Sequence, residues 1–474
     1  MVERRSRVVR TRYLVLIVFV AVWGLIMHGT RAGSGDEPHY LVIAHSLAFD
    51  ADLDLVNNYQ DPIINGAGTT VPGAHARVRD NRLRPVHDIG MPLAFAPFVR
   101  LAYPAAVWLG GNLPRSVLEA GGLNPWLLLR HFLSLAMALL TGLLARELFL
   151  ILLDVGGSAR AAFLWALLFA LTPPILSHSF LFFTEIPTAL VTLFVFRRLS
   201  LTGVRTTWMA AIVGGLAGFL LLVHARNLWL VVGLMIVAAV VARRGALAPN
   251  MLAAFFAAVA MGSIARCAVT FVMWGSLFAT PHVAVQATAA SGGVLREIFV
   301  RASGLIFDRE YGLLACAPLY ALAAPGFLVL ARLGRRPTLQ MLSIVLGCAV
   351  IPVLLPMINA ESWRGGSSPA ARLLVPVAPL LWVGVYVFAI HASTLGKVVA
   401  GVLLAWQIGI DAFVWQFPKT LWNDGDGVTE LASARWMPSW MDTGATLPFA
   451  LVLAMACVFT WACSRYAFQP AESL

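Results

Sequence analysis

The stretch YLVLIVFVAVWGLIM, residues 13–27, is followed at Gly33 by GSGDEPHYLVIAHSLAFDADLDLVNNY, which runs to Tyr59. The first run is apolar and long enough to enter a bilayer, since about 20 residues cross the hydrocarbon core. The second places two adjacent acids, Asp36 and Glu37, where that helix leaves the lipid, and three more at Asp50, Asp52 and Asp54. An acidic pair at a membrane interface is costly unless it is solvated or used. Used alone, Asp36 can serve as the N-cap of a helix running from Pro38 to Ala48, with Pro38 in its first turn. A capping aspartate is also held rigidly enough to act as a base, so the two roles are compatible.

The rest of the chain puts this segment in context. Of 474 residues, 59% are hydrophobic and 12% are charged, with a mean hydropathy of +0.81. A soluble domain carries about 25% charged residues. The composition therefore predicts an all-α polytopic membrane protein. Hydropathy places spans at 13–29, 124–146, 161–178, 186–199, 207–223, 228–242, 250–273, 312–331, 338–357, 372–391, 397–416 and 446–464, about 12 transmembrane helices with a range of 11–13. Segment 90–109 is apolar but holds Pro92, Pro97, Arg100 and Pro104, and reads as an interfacial or re-entrant element. The chain forms one integral membrane domain: a large first loop over 30–123, a helical core over 124–273, a loop over 274–311, and C-terminal helices over 312–474 with loops at 358–371 and 417–445.

The net charge of +11 does not mark a nucleic-acid protein, because that requires a basic face on a folded module. Arg4, Arg5, Arg7, Arg10 and Arg12 precede the first span, and Arg197/Arg198, Arg243/Arg244 and Arg332/Arg335/Arg336 sit in short joints. The positive-inside rule makes these joints and both termini cytoplasmic. The basic start resembles a signal peptide, but the apolar run is too long and lacks a cleavage site, so an uncleaved first span is expected. The long loops, most acids and most histidines then share the extracytoplasmic face. Cys267, Cys316, Cys348, Cys457 and Cys463 lie in or beside apolar segments without metal-like spacing and read as small buried residues.

A first span followed by Gly-Asp-Glu-Pro-x-Tyr and an extended loop resembles the membrane glycosyltransferases of the GT-C superfamily, in particular the protein O-mannosyltransferase and aminoarabinose-transferase group. Three further stretches support the resemblance: HSFLFFTEIPTAL from His178, HDIGMPLAFAPF from His87 and ESWRGGSSPAARLLVPVAPLL from Glu361. The resemblance implies a GT-C-like fold and a polyprenyl-phosphate sugar donor. It also implies a catalytic acid in the first external loop, matching Asp36 and Glu37, and an acid at the start of a later span. That later acid is commonly Asp in the group and is Glu185 here. A base within hydrogen-bond reach of the acceptor hydroxyl contributes about 10²–10⁴-fold, and Asp36 is the expected base of an inverting transfer.

The leaving lipid phosphate needs cationic donors or a metal, and arginine can hold two of its oxygens. Arg226 in LLVHARNLWL, Arg364 in SWRGGSS and Arg372 at the start of a span are the candidates. Snorkelling to the interface explains Arg226 equally well, and a tight turn explains Gly365-Gly366. Arg266, within an apolar segment, is a weaker candidate and should face protein or water. His39, Tyr40, His87, His282 and Trp363 are expected to contact substrate. The acids and histidines form no metal-spaced motif such as HExxH. The resemblance leaves room for a divalent cation, magnesium or manganese, and names no ligands. Asp50, Asp52 and Asp54 fail the calcium-loop pattern and read as Asx turns.

The acceptor expected of such an enzyme is a lipid, a glycan or a protein, beside the surrounding membrane lipids. The alternative class is a multi-span transporter or flippase of lipid-linked or envelope precursors. Transporters often show two related halves with charges near the midplane. No repeat relates residues 1–237 to 238–474, and the acids gather at one face. A scaffold for envelope assembly and a membrane polymer ligase are further alternatives, the latter expected to carry its main loop late in the chain.

Overall fold

A computed structural model describes residues 13, 16–24, 35–65, 70–120, 123–279, 294–354, 365–366, 368–422, 429–439 and 446–466. Helix α1 covers 16–24. The first loop holds α2 (Glu37–Phe49), α3 (Val56–Gln60), a hairpin of β1 (Ala76–Arg79) and β2 (Arg82–Pro85), α4 (Gly90–Asn112) and α5 (Arg115–Ala120). The bundle continues through α6 (Pro125–Val155), α7 (Ala159–Leu171), α8 (Ile175–His178), α9 (Glu185–Arg197), α10 (Thr207–Val223), α11 (Leu228–Arg243) and α12 (Pro249–Trp274). It closes with α13 (Val294–Phe307), α14 (Leu313–Cys316), α15 (Ala323–Arg332), α16 (Arg336–Leu354), α17 (Ala378–His391), α18 (Thr394–Gln416) and α19 (Thr446–Tyr466).

Among the described residues, five helices are long and apolar enough to cross a membrane: α4, α6, the Ala225–Arg243 segment containing α11, α12 and α18. Six shorter apolar helices of 10–17 residues accompany them. The two kinds differ from the expected even ladder of about twelve spans for a local reason. Expected span 161–178 stops at Leu171 before Pro173-Pro174 and resumes as α8. Expected span 312–331 divides into α14, a 3₁₀ turn at Pro318–Leu322 and α15, and expected span 372–391 begins with a 3₁₀ turn at Arg372–Leu374. Proline lacks the N–H that would continue the helix, and each break falls toward the end of the bundle that carries Asp36 and Glu185.

Helix starts are fixed by side chains. Asn124 accepts from the Leu127 N–H to cap α6, and Ser158, Thr206 and Ser393 do the same for α7, α10 and α18. Small residues set the closest crossings. Gly214 and Gly262 leave no room for a Cβ between α10 and α12, with Gly218 closely packed beside them, and Gly326 and Gly384 leave none between α15 and α17. Backbones that approach this closely exchange side-chain contact for van der Waals packing along the helix pair.

The bundle has two chemically different ends. At one, Arg197 of α9 pairs with Asp154 at 2.8 Å and Glu147 at 3.6 Å on α6. The arginines closing α11 and α15 lie at this same end, because both helices start at the other. At the opposite end, α2 is packed against α4, and α4 bridges two helix termini. Gly90 sits against the Leu222–Val223 peptide at the end of α10, and Gly110 against Pro125 at the start of α6. Segment 90–109 is thus one continuous helix with both termini at the same end of the bundle. Arg100, in its middle, donates to the Ala48 carbonyl at the end of α2.

Candidate active site

Four side chains from four separate breaks in the helical pattern meet at the acidic end. Asp36 immediately precedes α2, Glu185 opens α9, Arg226 lies in the 3₁₀ turn between α10 and α11, and Arg372 lies in the 3₁₀ turn before α17. Arg372 joins them. Its Nη2 donates to Asp36 Oδ2 at 2.7 Å, its Nε to Glu185 Oε1 at 2.8 Å and its Nη1 to the Gly365 carbonyl at 3.0 Å. Arg226 Nη2 donates to the same Glu185 oxygen at 2.5 Å. The Arg372 guanidinium also lies over the Phe183 ring at 4.3 Å, a cation–π contact. The result is a continuous run of alternating charge: Asp36, Arg372, Glu185, Arg226.

The local backbone explains how Arg372 reaches this point. Ala371 takes a left-handed conformation at φ 58°, which is strained for a residue with a Cβ. Its N–H donates to the Tyr311 carbonyl at 3.0 Å, and the Ala370 N–H to the Leu421 carbonyl at 2.9 Å. These anchors hold the turn and direct the next side chain inward.

Asp36 and Glu37, adjacent in sequence, do different things. Asp36 does not cap α2 with its side chain; the capping role expected from the sequence gives way to the stronger pairing with Arg372. Glu37 is buried and points the other way. Its Oε2 lies 3.0 Å from Arg130 Nη2, and its Oε1 accepts from the Phe182 N–H at 3.1 Å. This fixes α2 to α6 and to the segment before α9. Glu185 is fully buried at 0% exposure, whereas the Asp36 side chain keeps 24%. Of the three expected catalytic acids, Asp36 is the one open to a ligand.

A histidine cluster borders the open face of Asp36. The hairpin brings His75 and His87 together, with His75 Nδ1 and His87 Nε2 2.9 Å apart. His75 Nδ1 is 3.8 Å from Asp36 Oδ1. His39 stacks on His75 at 3.7 Å between ring centroids and accepts or donates at Nδ1 with the Tyr59 hydroxyl at 2.8 Å. The Tyr40 ring lies 5.0 Å from that of His87. One ligand atom each from Asp36, His75 and His87 falls within 4.8 Å of the others. Two imidazole nitrogens and one carboxylate oxygen suit zinc or manganese, whereas magnesium prefers oxygen ligands. The three residues therefore fit a divalent ion with the Oδ1 side of Asp36 as carboxylate ligand.

The electrostatics follow from this geometry. Burial by itself would raise the Asp36 pKa, but the charge and hydrogen bond of Arg372 outweigh it and hold the carboxyl well below the usual range. Burial, with His75 nearby, pushes His39 down to about 4, and burial lowers His75 as well. Neutral imidazoles are the form that binds metal.

A second ionic cluster supports the loop from behind. Asp88 pairs with Arg266 and accepts from the Ala225 N–H at 2.7 Å, with His224 Nδ1 at 3.8 Å. Arg266 thus faces protein, as its position in an apolar helix required. His87 is held at the site by its neighbour Asp88. Trp363, Arg364 and His282 lie outside the described residues. His75 and Arg130 were not picked out from sequence as site residues. The signal for His75 was present: ARVRDNRLR between His75 and His87 alternates around an Asp-Asn turn, and a hairpin there brings its two flanks together. The Asx turns expected in the acidic run are present, with the Asp54 N–H donating to Asp52 Oδ1 at 3.0 Å.

No family model matches the chain, and no curated protein matches it significantly. Two crystal structures of the Archaeoglobus fulgidus oligosaccharyltransferase are structural neighbours. The complex with zinc and sulfate gives a TM-score of 0.39 at 13% identity, covering 96% of this chain and 54% of that one. The apo form gives a TM-score of 0.41 at 14% identity, covering 97% and 57%. This chain spans a little over half the length of those neighbours.

Proposed function

We propose that this protein is an integral membrane glycosyltransferase of GT-C type that moves a sugar from a polyprenyl-phosphate donor to an acceptor hydroxyl. The observation that carries the reading is the shared guanidinium of Arg372, held between Asp36 and Glu185 with Arg226 on the same glutamate. Two arginines beside one reachable carboxylate are what transfer from a phosphate-linked sugar needs: cationic groups for the leaving phosphate and an acceptor for the proton.

The acceptor oxygen attacks the anomeric carbon, and the bond from that carbon to the phosphate oxygen breaks on the opposite face. The phosphate leaves with the electron pair, and configuration inverts. The hydroxyl proton passes to Asp36 Oδ2, the oxygen that Arg372 holds until the donor phosphate draws the guanidinium away. Paired with Arg372, Asp36 is a weak base, because its pKa lies far below neutrality. A donor phosphate competes for the same guanidinium. As Arg372 turns to phosphate oxygens, Asp36 loses its counter-ion and its basicity rises toward that of an ordinary carboxylate. Glu185, fully buried, retains both arginines near the phosphate throughout. Tyr40, His39 and His87 are buried behind Asp36 and support the face on which the sugar sits. A zinc or manganese ion on Asp36, His75 and His87 would supply Lewis-acid stabilisation of phosphate charge.

The site belongs on the extracytoplasmic face of a bacterial-type inner membrane, with both termini cytoplasmic. The basis is the arginine-rich joints, which gather at the far end of the bundle, together with the positive-inside rule. Helix α4, with both termini at the site end, lies along that face. The acceptor is a lipid, a glycan or a protein.

The test uses purified protein in nanodiscs with a panel of synthetic polyprenyl-phosphate sugars, comparing wild type with Asp36→Asn. Donor-dependent sugar release that disappears in the variant, with donor binding retained, supports the reading. Binding to no member of the panel overturns it.

A further inference from the structure

The hairpin between His75 and His87 carries a charge arrangement that the reaction does not use. Its register pairs Arg77 with Arg84 and Arg79 with Arg82. Residues opposite each other share a face, so all four arginines lie on one side of the ribbon, and Ala76, Val78, Leu83 and Pro85 lie on the other. Like charges directly across a pair of strands destabilise it. The turn residues Asp80 and Asn81 both have positive φ, at 49° and 57°, the geometry of a tight two-residue hairpin. The ribbon is therefore held in its repulsive register.

Little on the protein offsets this charge. Asp80 pairs with Arg79 at 3.4 Å from a position 80% exposed. Of the nearby acids, Asp54 accepts from the Leu83 N–H of β2 and forms no ion pair with the four guanidinium groups, and Asp88 is paired with Arg266. Among the described residues, the side chains of Arg77, Arg82 and Arg84 have no hydrogen bond or ion pair, and the Arg84 Nε is buried without a partner.

The position of the face indicates what covers it. The Arg79 guanidinium lies against Gly275, the residue that ends α12. Helix α12 is a 26-residue apolar helix that turns most of its surface away from the bundle. Its last turn and the residues beyond it expose Phe271, Val272, Leu277 and Phe278. Exposed apolar residues at the end of such a helix mark the bilayer interface, so the arginine face lies at headgroup level.

We infer that the four-arginine face of this hairpin binds the phosphate-bearing headgroups of anionic phospholipids in the leaflet on the site's side. The lipid supplies the counter-charge the hairpin lacks. By seating the ribbon, it also sets the height of His75 and His87 beside Asp36. The inference rests on the membrane placement of α12 and not on the transferase reading.

The experiment is hydrogen–deuterium exchange over residues 76–85 in the full-length protein. The protein is reconstituted in nanodiscs of phosphatidylcholine alone or of phosphatidylcholine rich in phosphatidylglycerol. Exchange is expected to slow by about fivefold or more in the anionic discs, and high salt is expected to reverse the effect. The Arg77→Gln/Arg82→Gln variant, which removes two exposed groups without protein partners, is expected to lose most of the slowing at an unchanged unfolding temperature. Arg77→Lys/Arg82→Lys is expected to retain it. Equal exchange in both compositions overturns the inference. So does slowing by soluble dextran sulfate in neutral discs without slowing by phosphatidylglycerol, which would assign the face to a soluble anionic chain. No donor is present, so failure of the transferase reading leaves this result unaffected.

Discussion

Replacing Arg372 with glutamine tests whether the site is one network. The guanidinium makes three donor contacts, at 2.7, 2.8 and 3.0 Å, to Asp36, Glu185 and the Gly365 carbonyl. Glutamine cannot span them and carries no charge. Glu185, at 0% exposure, is left with Arg226 and the neutral Thr184 hydroxyl. Breaking a buried pair by removing one partner costs about 3–5 kcal/mol. With an unfolding entropy near 1 kcal/mol/K for a chain of this length, the expected fall in Tm is about 3–5 °C. Thermal unfolding in detergent, followed by tryptophan fluorescence, measures it. Glu185→Gln and the double variant complete the cycle. Once the glutamate is neutral, loss of the arginine strands less charge, so the double variant should cost about 1–3 kcal/mol less than the two single changes together. Additivity within about 0.5 kcal/mol would refute the reasoning, because it would mean that the two groups do not sense each other. Arg372→Lys keeps the charge but not the fork, and should fall between wild type and Arg372→Gln.

Glu37→Gln should lower stability by about 3–5 kcal/mol, because it strands the buried Arg130; a loss of sugar transfer at unchanged stability would instead make Glu37 a catalytic group. Asn58 donates to His45 Nδ1 at 3.1 Å, and burial lowers the His45 pKa. The folded state therefore holds His45 neutral while the unfolded chain protonates near pH 6.5, so its contribution is present above that pH and declines below it by up to about 1.4 kcal/mol per pH unit. Tm measured from pH 7 to pH 5 should fall more steeply in wild type than in His45→Gln, and parallel curves would exclude the effect. Purified protein dialysed against zinc or manganese should retain about one ion per chain by elemental analysis, since a single three-residue ligand set is present among the described residues, and His75→Ala/His87→Ala should retain none; equal retention by both would remove the site.

Much of this protein was legible in the sequence, because the properties concerned are local. Hydropathy over 124–146, 207–223 and 250–273 needs no partner to be read, and α6, α10 and α12 lie there. Asp36, Glu185, Arg226 and Arg372 stand out as polar residues at the ends of apolar runs, where each must be solvated or used. Their separation in the chain, 336 positions from Asp36 to Arg372, concealed that they touch. Only packing decided that Asp36 and Glu37 face opposite ways, that Glu185 is an anchor for two arginines and that Asp36 pairs with Arg372 instead of capping α2. Segment 90–109, set apart by its prolines as interfacial or re-entrant, runs as one helix whose two termini the packing places at the same end of the bundle. The sequence determined which residues could not be left bare in a membrane, since that cost belongs to each side chain alone. The tertiary structure decided which residue compensates which, since an ion pair is a property of two positions and of the distance the fold sets between them.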